Sequence, residues 1–359
     1  MAPTRVSTQG GDDISIAVVI PLYNGERYIQ EAIESVLRQS LPPTEVIVVD
    51  DGSTDNGPAV VDGLARRHPI TLLRRPNGGQ SAARNFGIAH AGSNLIALLD
   101  QDDIWYTDHL EKLAEPFRQP RTVELGWVYS NLDEIDEHGR LVCRSILRFL
   151  PGQHPKRDLI CSLRSDMFIL PSASLVSRKA FEAVGGFDEQ LLGYEDDDLF
   201  LRMFRAGYDN VYLDEALSQW RLFVGSSSYS PRMAVSRMAY LRKLLAEFPD
   251  DPARGRYWRR DVLAPRFLPH LIKAFIDAVR CRDRELMRAS LENLRFISKY
   301  HNGKVRIVMQ LLLPLLFRFP GIARILLAAK PVLQPLTRRI MGGLVVSRNK
   351  QLVSTASSK

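Results

Sequence analysis

The sequence is poor in cysteine and contains no paired cysteine motif. Its three cysteines, Cys143, Cys161 and Cys281, are far apart in the 359 residues, and no two of them form a Cys-x-x-Cys pair. Because a disulfide framework needs an even set, we expect three structural thiols and a reducing compartment. Residues 1–14 lack the apolar core of a signal peptide. We therefore expect a disordered leader over residues 1–14 and a cytoplasmic protein.

Long apolar runs are also missing. The most apolar stretch of the C-terminal third lies between Arg306 and Arg318 and holds 11 residues, whereas a spanning helix needs about 20. Hydrophobic residues make up 45% of the chain and charged residues 25%, which is ordinary for a soluble globular protein. This composition excludes a protein with many membrane spans.

The net charge of +7 hides an uneven distribution of charge. From Arg232 to Lys359 there are 26 Lys and Arg against 8 Asp and Glu, a net charge of +18. The preceding residues carry 22 basic and 33 acidic side chains, a net charge of −11. We interpret residues 231–359 as a basic, helical C-terminal region, because strand patterns end near residue 230.

Two interpretations of this basic region remain open. The leucines near residue 311, with Arg324, Lys330, Arg338 and Arg339, are typical of an amphipathic segment at an anionic membrane surface. The same leucines would equally suit a helical subdomain that packs them inward and keeps its arginines in water. On the first interpretation, the protein lies peripherally at the inner face of the plasma membrane.

Short β-branched runs alternate with helical patterns in the first hundred residues. The alternation predicts right-handed βαβ units and a mainly parallel sheet within an α/β domain over residues 15–230. The first run is apolar throughout, as expected of a strand that is covered on both faces, and we expect Pro21 to end it. The predicted strands are residues 16–20, 46–49, 70–73 and 95–99.

Polar residues follow three of these strands. Residues 21–24 come after the first strand, residues 50–53 after the second, and residues 100–103 after the fourth. Ligands of parallel α/β sheets bind beyond the carboxyl ends of the strands. We therefore expect these segments to meet at one edge of the sheet and to form a binding site.

The acidic turn, residues 100–103 (Asp-Gln-Asp-Asp), carries three carboxylates that repel one another unless a cation compensates them. Mg²⁺ is commonly held by one or two carboxylates together with substrate phosphates, so the turn suits a metal–diphosphate. A solvated loop that caps a helix would also explain it.

Three further motifs each have a functional and a structural interpretation. Residues 50–55 form a turn in which a carboxylate would accept a hydrogen bond from the N–H of uracil. The acidic helix start, residues 195–198 (Glu-Asp-Asp-Asp), suits either a general base or helix capping. Residues 78–85 form a Gly-rich turn that opens a helix, but they lack the P-loop lysine and the GxGxxG spacing. Arg84 in this segment would contact a diphosphate or form a surface ion pair.

Together these segments resemble the family 2 glycosyltransferases, whose catalytic domain has the GT-A fold. Each match is weak alone, but the six occur in the order of the family and cover about residues 16–228. They are residues 18–24 with Glu26, residues 46–55, residues 81–85, residues 98–103, residues 185–189, and Glu195, Asp196, Asp198 and Leu199.

The resemblance implies inverting transfer of a sugar from a nucleotide-diphosphate donor, with a UDP-sugar as the first choice, by direct displacement at the anomeric carbon. The acceptor would be a glycan or a lipid-linked saccharide in the synthesis of cell-surface polysaccharide or glycolipid. The implied roles are donor binding by Pro21, Tyr23, Glu26 and Asp51, diphosphate contact by Arg84, ribose or sugar contact by Asp102, Mn²⁺ or Mg²⁺ binding by Asp103, and deprotonation of the acceptor by Asp196.

One position departs from the family pattern. Family members often carry an aromatic–Arg–x–His segment whose histidine helps to hold the metal, and here residues 220–223 place Phe223 at that position. The metal site would then consist of Asp103 and the diphosphate alone.

Three other functions would each account for part of the sequence. A sugar nucleotidyltransferase would begin with a basic, Gly-rich loop, whereas the first strand here runs into residues 21–24 (Pro-Leu-Tyr-Asn). A non-catalytic sugar-nucleotide-binding protein would explain Phe223 but not the presence of both Asp103 and Asp196. The basic C-terminal region carries no recognisable nucleic-acid-binding module, so we expect no nucleic-acid partner.

Overall fold

A computed structural model of the chain describes residues 14–223 and 232–319, and the chain divides into two compact units, residues 1–247 and 248–359. Residues 1–13 of the expected leader lie outside the described residues. So do the basic residues Arg324, Lys330, Arg338 and Arg339. The unit boundary follows Glu247, so the first helix of the predicted C-terminal region belongs with the first unit.

Within residues 14–223, nine strands form one sheet. The strands are β1 (Ile16–Leu22), β2 (Glu45–Asp50), β3 (Ile70–Arg74), β4 (Leu95–Leu98), β5 (Ile104–Trp105), β6 (Leu125–Ile135), β7 (Leu141–Cys143), β8 (Ser174–Ser177) and β9 (Asp209–Arg221). Their spatial order is β3-β2-β1-β4-β8-β6-β9-β5, with β7 beside β6. The first four strands pair in parallel, whereas β8 runs antiparallel to both β4 and β6. The predicted α/β architecture with its parallel β1–β4 layer is confirmed.

Helices follow the strands and continue through the second unit. In the first unit they are α1 (Ile29–Leu37), α2 (Gly57–Ala65), α3 (Gln80–His90), α4 (His109–Ala114), α5 (Leu159–Arg164), α6 (Arg178–Ala183), α7 (Glu195–Arg205) and α8 (Arg232–Glu247). In the second they are α9 (Ala264–Cys281), α10 (Arg284–Ser298) and α11 (Gly303–Arg318). The predicted helical C-terminal region is confirmed over its described residues.

Strand β1 lies at the centre of the parallel layer, and all seven of its residues are buried. One of its faces packs against α1, and α3 approaches the other face so closely that a Cβ at Gly87 would lie 2.5 Å from Val19. The prediction that Pro21 ends the strand is wrong. Pro21 pairs with Val49 inside the sheet, because its fixed φ is compatible with an extended chain.

Strand β9 has 13 residues and was not predicted from the sequence. Its middle contains Asp214 and Glu215, which interrupt the apolar pattern that reveals the other strands. Pairing with β6 holds it in the sheet and delivers its last residue, Arg221, to the edge where the predicted site residues lie.

In the second unit, α10 packs against both α9 and α11 through buried apolar side chains that include Phe267, Leu291 and Leu294. Helix α11 buries Leu313 and Leu316 but leaves other apolar side chains exposed. In the part of the chain that the structure describes, no helix is both long enough and apolar enough to cross a membrane.

Candidate active site

The loops after β1 and β4 are joined at the edge of the sheet by Gln101. Its side-chain oxygen accepts a hydrogen bond from the backbone N–H of Tyr23 at 2.8 Å, and its amide nitrogen donates to the Tyr23 carbonyl at 3.2 Å. The loop after β2 joins the same group, because Asn24 N–H donates to Ser53 Oγ. The predicted convergence of the three segments on one edge is observed.

The predicted nucleoside-binding residues occupy different depths. Pro21 is buried within β1, whereas Tyr23 is 47% exposed. The Glu26 carboxylate accepts from Asn56 N–H at 2.9 Å, while Glu26 N–H donates to Asp55 at 2.8 Å. This reciprocal pair fixes the loops after β1 and β2 against each other.

Asp51 is 2% exposed and lies beneath the Gly-rich turn. Its carboxylate accepts from the N–H groups of Gly78 and Gly79, at 3.0 and 2.7 Å, and lies 3.2 Å from the Arg75 guanidinium. Gly79 has a φ of +89°, a conformation that side-chain-bearing residues rarely adopt. Asp51 thus holds the turn that opens α3, and its predicted contact with a base stays a prediction.

Arg84 is fully buried and makes two ion pairs. One guanidinium nitrogen lies 2.6 Å from Asp100 Oδ1, and another lies 2.9 Å from Glu195 Oε1. The predicted surface ion pair is therefore wrong, because the Arg84 side chain is buried and both of its partners are site carboxylates. Arg84 connects the acidic turn to the acidic helix start, and its predicted contact with a diphosphate stays a prediction.

The acidic turn places its carboxyl groups at two depths. Asp103 is 2% exposed, and its Oδ1 accepts from Arg221 N–H at 3.0 Å. Burial, with the negative charges of Asp102 and Asp100, raises the pKa of Asp103 well above its usual value. Asp102 is less deeply buried, and burial with the charge of Asp100 raises its pKa to about 7. The turn therefore concentrates negative charge that a cation would stabilise.

Arg221 is the site residue that sequence reasoning missed. It is 2% exposed, donates from Nε to the Asp102 carbonyl at 2.8 Å, and pairs through Nη2 with Glu31 at 2.7 Å. Two residues later, the Phe223 ring lies 5.4 Å from the ring of Tyr28. The position where the family often has a metal-binding histidine is thus used for aromatic packing. The position of Arg221 within the aromatic–Arg–x–His segment was the sequence feature that could have indicated its place in the site.

The structure separates the four acids of the acidic helix start, because three of them are held by other side chains. Glu195 pairs with Arg84, Asp197 accepts from the Tyr240 hydroxyl at 2.8 Å, and Asp198 pairs with Arg202 and Lys243. These contacts explain why so many acids occur where helix capping alone needs fewer.

Asp196 is the exception among the four. Of the contacts that the described residues make with its carboxylate, the one hydrogen bond comes from Asp197 N–H at 2.7 Å. Burial, followed by the charges of Glu195 and Asp197, raises the pKa of Asp196 well above its usual value. A half-buried carboxyl with an elevated pKa has the proton affinity that a general base needs.

The comparisons with known proteins agree with this geometry. Residues 17–185 match the model of the family described as Glycosyl transferase family 2. An uncharacterized glycosyltransferase of Rickettsia conorii is 31% identical over 208 residues, which cover 56% of this chain and 33% of that protein. The chain spans about a third of the length of the first curated relatives it matches.

Two solved structures share the fold. S. aureus TarS 1-349 in complex with UDP-GlcNAc has a TM-score of 0.60 and 20% identity, with 83% of this chain and 86% of that chain covered. The mannosyltransferase PcManGT from Pyrobaculum calidifontis, in complex with GDP-Man and Mn²⁺, has a TM-score of 0.51 and 18% identity, with 90% of each chain covered. At these identities the structures show the GT-A fold alone. By the family model and the curated relatives, residues 17–185 form a domain of glycosyltransferase family 2.

Proposed function

We propose that the chain is an inverting glycosyltransferase that moves a sugar from a nucleotide-diphosphate donor to a hydroxyl group of an acceptor. The observation that carries this proposal is that Arg84 forms ion pairs with both Asp100 and Glu195 and so joins them. They fix the acidic turn, which suits a metal–diphosphate, beside the helix start that carries Asp196. Direct displacement requires a donor site and a base in this relation.

A UDP-sugar is the donor we propose first. Tyr23 offers an exposed ring for stacking on a base, and Asp51 lies at the end of β2, where its carboxylate would meet the uracil N–H. TarS, which shares the fold, has been crystallised with UDP-GlcNAc. Glu26 would maintain the pocket by holding the loop after β2.

The acidic turn fits a divalent cation. The closely spaced carboxyl groups of Asp102 and Asp103 have raised pKa values, and the structure of PcManGT is a complex with GDP-Man and Mn²⁺. Asp103 Oδ1 already accepts a hydrogen bond from Arg221 N–H. We therefore propose that the Asp102 carboxylate faces the cation and that Asp103, which is more deeply buried, holds the turn in place. Residues 14–223 and 232–319 contain no group of three or more His, Cys, Asp and Glu set to hold a metal. The diphosphate would complete the ligand set, and bound Mn²⁺ or Mg²⁺ would neutralise charge on the leaving group.

Asp196 is the base in this proposal. As the acceptor oxygen attacks the anomeric carbon, its proton passes to the Asp196 carboxylate. The bond between that carbon and the diphosphate oxygen breaks, and the electron pair leaves on the diphosphate. Attack from the face opposite the leaving group inverts the anomeric configuration.

We further propose an acceptor at a membrane, as in the synthesis of cell-surface polysaccharide or glycolipid. Helix α11 exposes five apolar residues beside basic ones, and its sequence is too short to span a bilayer. The exposed apolar residues are Ile307 (56% exposed), Val308 (59%), Leu311 (73%), Leu312 (39%) and Leu315 (44%). Such a face would lie in the headgroup region of an anionic membrane.

A donor screen tests the proposal. UDP-, GDP- and CMP-sugars are incubated with the full chain with and without Mn²⁺, and nucleotide release is measured. We expect release from a UDP-sugar that depends on Mn²⁺ and is lost in Asp102→Asn. Asp62→Asn is the matched control, since its carboxylate is exposed and pairs with Arg74. Failure of every donor, together with no UDP binding in calorimetry, would contradict the proposal.

A further inference from the structure

Three polar side-chain atoms converge beside Gly152, in a part of the first unit that the proposed donor site does not use. A Cβ built on Gly152 would lie 3.5 Å from Lys156 Nζ, 3.7 Å from His154 Nε2 and 3.8 Å from Ser165 Oγ. Gly152 itself is exposed, so the cluster lies directly beneath the surface.

Lys156 is a buried cation. Its residue is 3% exposed, and its ammonium group has no hydrogen-bond or ion-pair partner among the residues that the structure describes. The backbone is fixed, because Lys156 N–H donates to the Asn210 side chain and the Asn210 amide donates to the Lys156 carbonyl. Burial lowers the pKa of Lys156 to about 8. A buried charge is costly unless it is compensated, and Asp197 compensates Lys156 through its charge without an ion pair, so the ammonium keeps hydrogen-bond donors for an oxyanion.

His154 supplies a second donor. Burial and then the charge of Lys156 lower its pKa to about 4, so the imidazole is neutral at pH 7. Burial raises the pKa of Tyr129, which therefore keeps its proton, and the Tyr129 hydroxyl lies 2.8 Å from His154 Nδ1. In the tautomer whose Nδ1 accepts from this hydroxyl, the ring hydrogen resides on Nε2, which is buried and has no partner among the described residues.

The cluster lies next to the acidic helix start. Met167 N–H donates to Asp197, and Ser165 is two residues before Met167. Asp197 also acts on Lys156 electrostatically. The cluster therefore borders the helix start that carries Asp197 and, one residue before it, Asp196.

We propose that Lys156, His154 and Ser165 form a binding site for a phosphate-type oxyanion that belongs to the acceptor. Three hydrogen-bond donors, one of them cationic, surround the site, which is the arrangement that recognises phosphate oxygens. This inference rests on the proposed glycosyltransferase function and names the chemical class of its acceptor.

The first experiment compares thermal unfolding of the full chain in sodium phosphate and in sodium chloride at equal ionic strength. Lys156→Met is compared with Lys179→Met, whose lysine is exposed and pairs with Glu124. We expect phosphate to raise the melting temperature of the wild type and of Lys179→Met, and to have no such effect on Lys156→Met. An equal phosphate shift in Lys156→Met, or none in the wild type, would overturn the site.

A second variant shows whether the result reflects a folding defect, and a second ligand shows whether the donor site is involved. Ser165→Ala removes one hydroxyl and should reduce the phosphate shift without lowering the melting temperature in chloride. UDP should stabilise the wild type and Lys156→Met equally, since Lys156 is outside the donor site. If UDP does not raise the melting temperature of the wild type, the proposed function is contradicted. If UDP raises it but phosphate does not, only this oxyanion site is contradicted.

The source of the oxyanion is tested with glycerol 3-phosphate, which attaches the phosphate to a hydroxyl-bearing group as an acceptor would. Because the cluster lies under an exposed glycine, we expect this ester to stabilise the wild type at least as strongly as inorganic phosphate does. A site that binds free phosphate but excludes the ester would contradict the acceptor assignment.

Discussion

Arg84 lies 2.6 Å from Asp100, and this ion pair joins the third helix of the chain to the acidic turn. The arginine side chain is 1% exposed, and the aspartate side chain is 27% exposed. A second ion pair with Glu195 leaves the guanidinium bridging two carboxylates that are 95 residues apart in the sequence. The architecture of the site therefore depends on one buried cation.

We expect Arg84→Met to lower the free energy of unfolding by about 3–5 kcal/mol, because it leaves the buried Glu195 and the partly buried Asp100 without their counter-charge. Denaturation by urea measures the change. Arg74→Met is the control, since Arg74 forms an exposed pair with Asp62 and should cost about 0–1 kcal/mol. Equal losses in the two variants would show that the buried bridge does not hold the site together.

Asp51→Ala should weaken UDP binding by about 1–3 kcal/mol, because a buried donor on the base would lose its acceptor. The substitution also releases the N–H groups of Gly78 and Gly79. Calorimetry with UDP measures the loss, and circular dichroism checks that the chain stays folded. Asp62→Ala serves as the exposed control. Unchanged UDP affinity in Asp51→Ala would remove Asp51 from the nucleoside pocket.

Asp196→Asn should keep donor binding but reduce transfer by about 10²–10⁴-fold, because the amide cannot take the proton of the acceptor. The pKa of Asp196 is raised by burial and then by its acidic neighbours, and a base acts in its deprotonated form. Transfer by the wild type should therefore rise with pH as Asp196 loses its proton, at a pH above the usual range of aspartate. The residual activity of Asp196→Asn should lack this rise.

Initial rates across a pH series measure both effects. Asp108→Asn is the control, since Asp108 is partly exposed and pairs with Lys112. Near-normal turnover in Asp196→Asn would transfer the role of base to another group, with Glu195 the first to test.

Leu311→Ser should weaken binding of the full chain to anionic vesicles, because it removes the most exposed leucine of α11. Leu286→Ser is the matched control, since Leu286 is 52% exposed on α10. Binding to neutral vesicles should be weaker, and added salt should weaken binding to anionic ones, because each nearby basic residue contributes about 1 kcal/mol that salt screens. If the wild type ignores anionic vesicles at low salt, the exposed leucines have another role.

The sequence was sufficient to predict where polar segments converge, since parallel strands all point their carboxyl ends to one edge. It was not sufficient to predict the partners of Arg84. Asp100 is 16 residues away and Glu195 is 111 residues away, so no local pattern links them to the arginine. The same limit applies to Asp103, because its burial is completed by Arg221 at the end of a strand that the apolar pattern did not reveal.

The acidic helix start is a second case in which sequence could not reveal the partners of the side chains. Four successive acids are equivalent in sequence, and helix capping accounts for any of them. Their side chains point in different directions around α7, and each meets a different partner. Lys243 and Tyr240, on α8, hold two of the acids through contacts across more than 40 residues. Only the packed structure distinguishes Asp196 from its neighbours.

Gln101 makes two hydrogen bonds to the Tyr23 backbone and so clamps the loop after β4 to the loop after β1. A Cβ at Gly25 would come within 2.4 Å of the Gln101 side-chain oxygen, so the clamp needs both an amide at 101 and a bare backbone at 25. A side chain at position 25 would displace the Gln101 amide and break its hydrogen bonds to Tyr23, so the effects of substitutions at these two positions, far apart in the sequence, are coupled. In a library of variants of this chain, the permitted pairs at 25 and 101 would be fewer than the product of the permitted single residues.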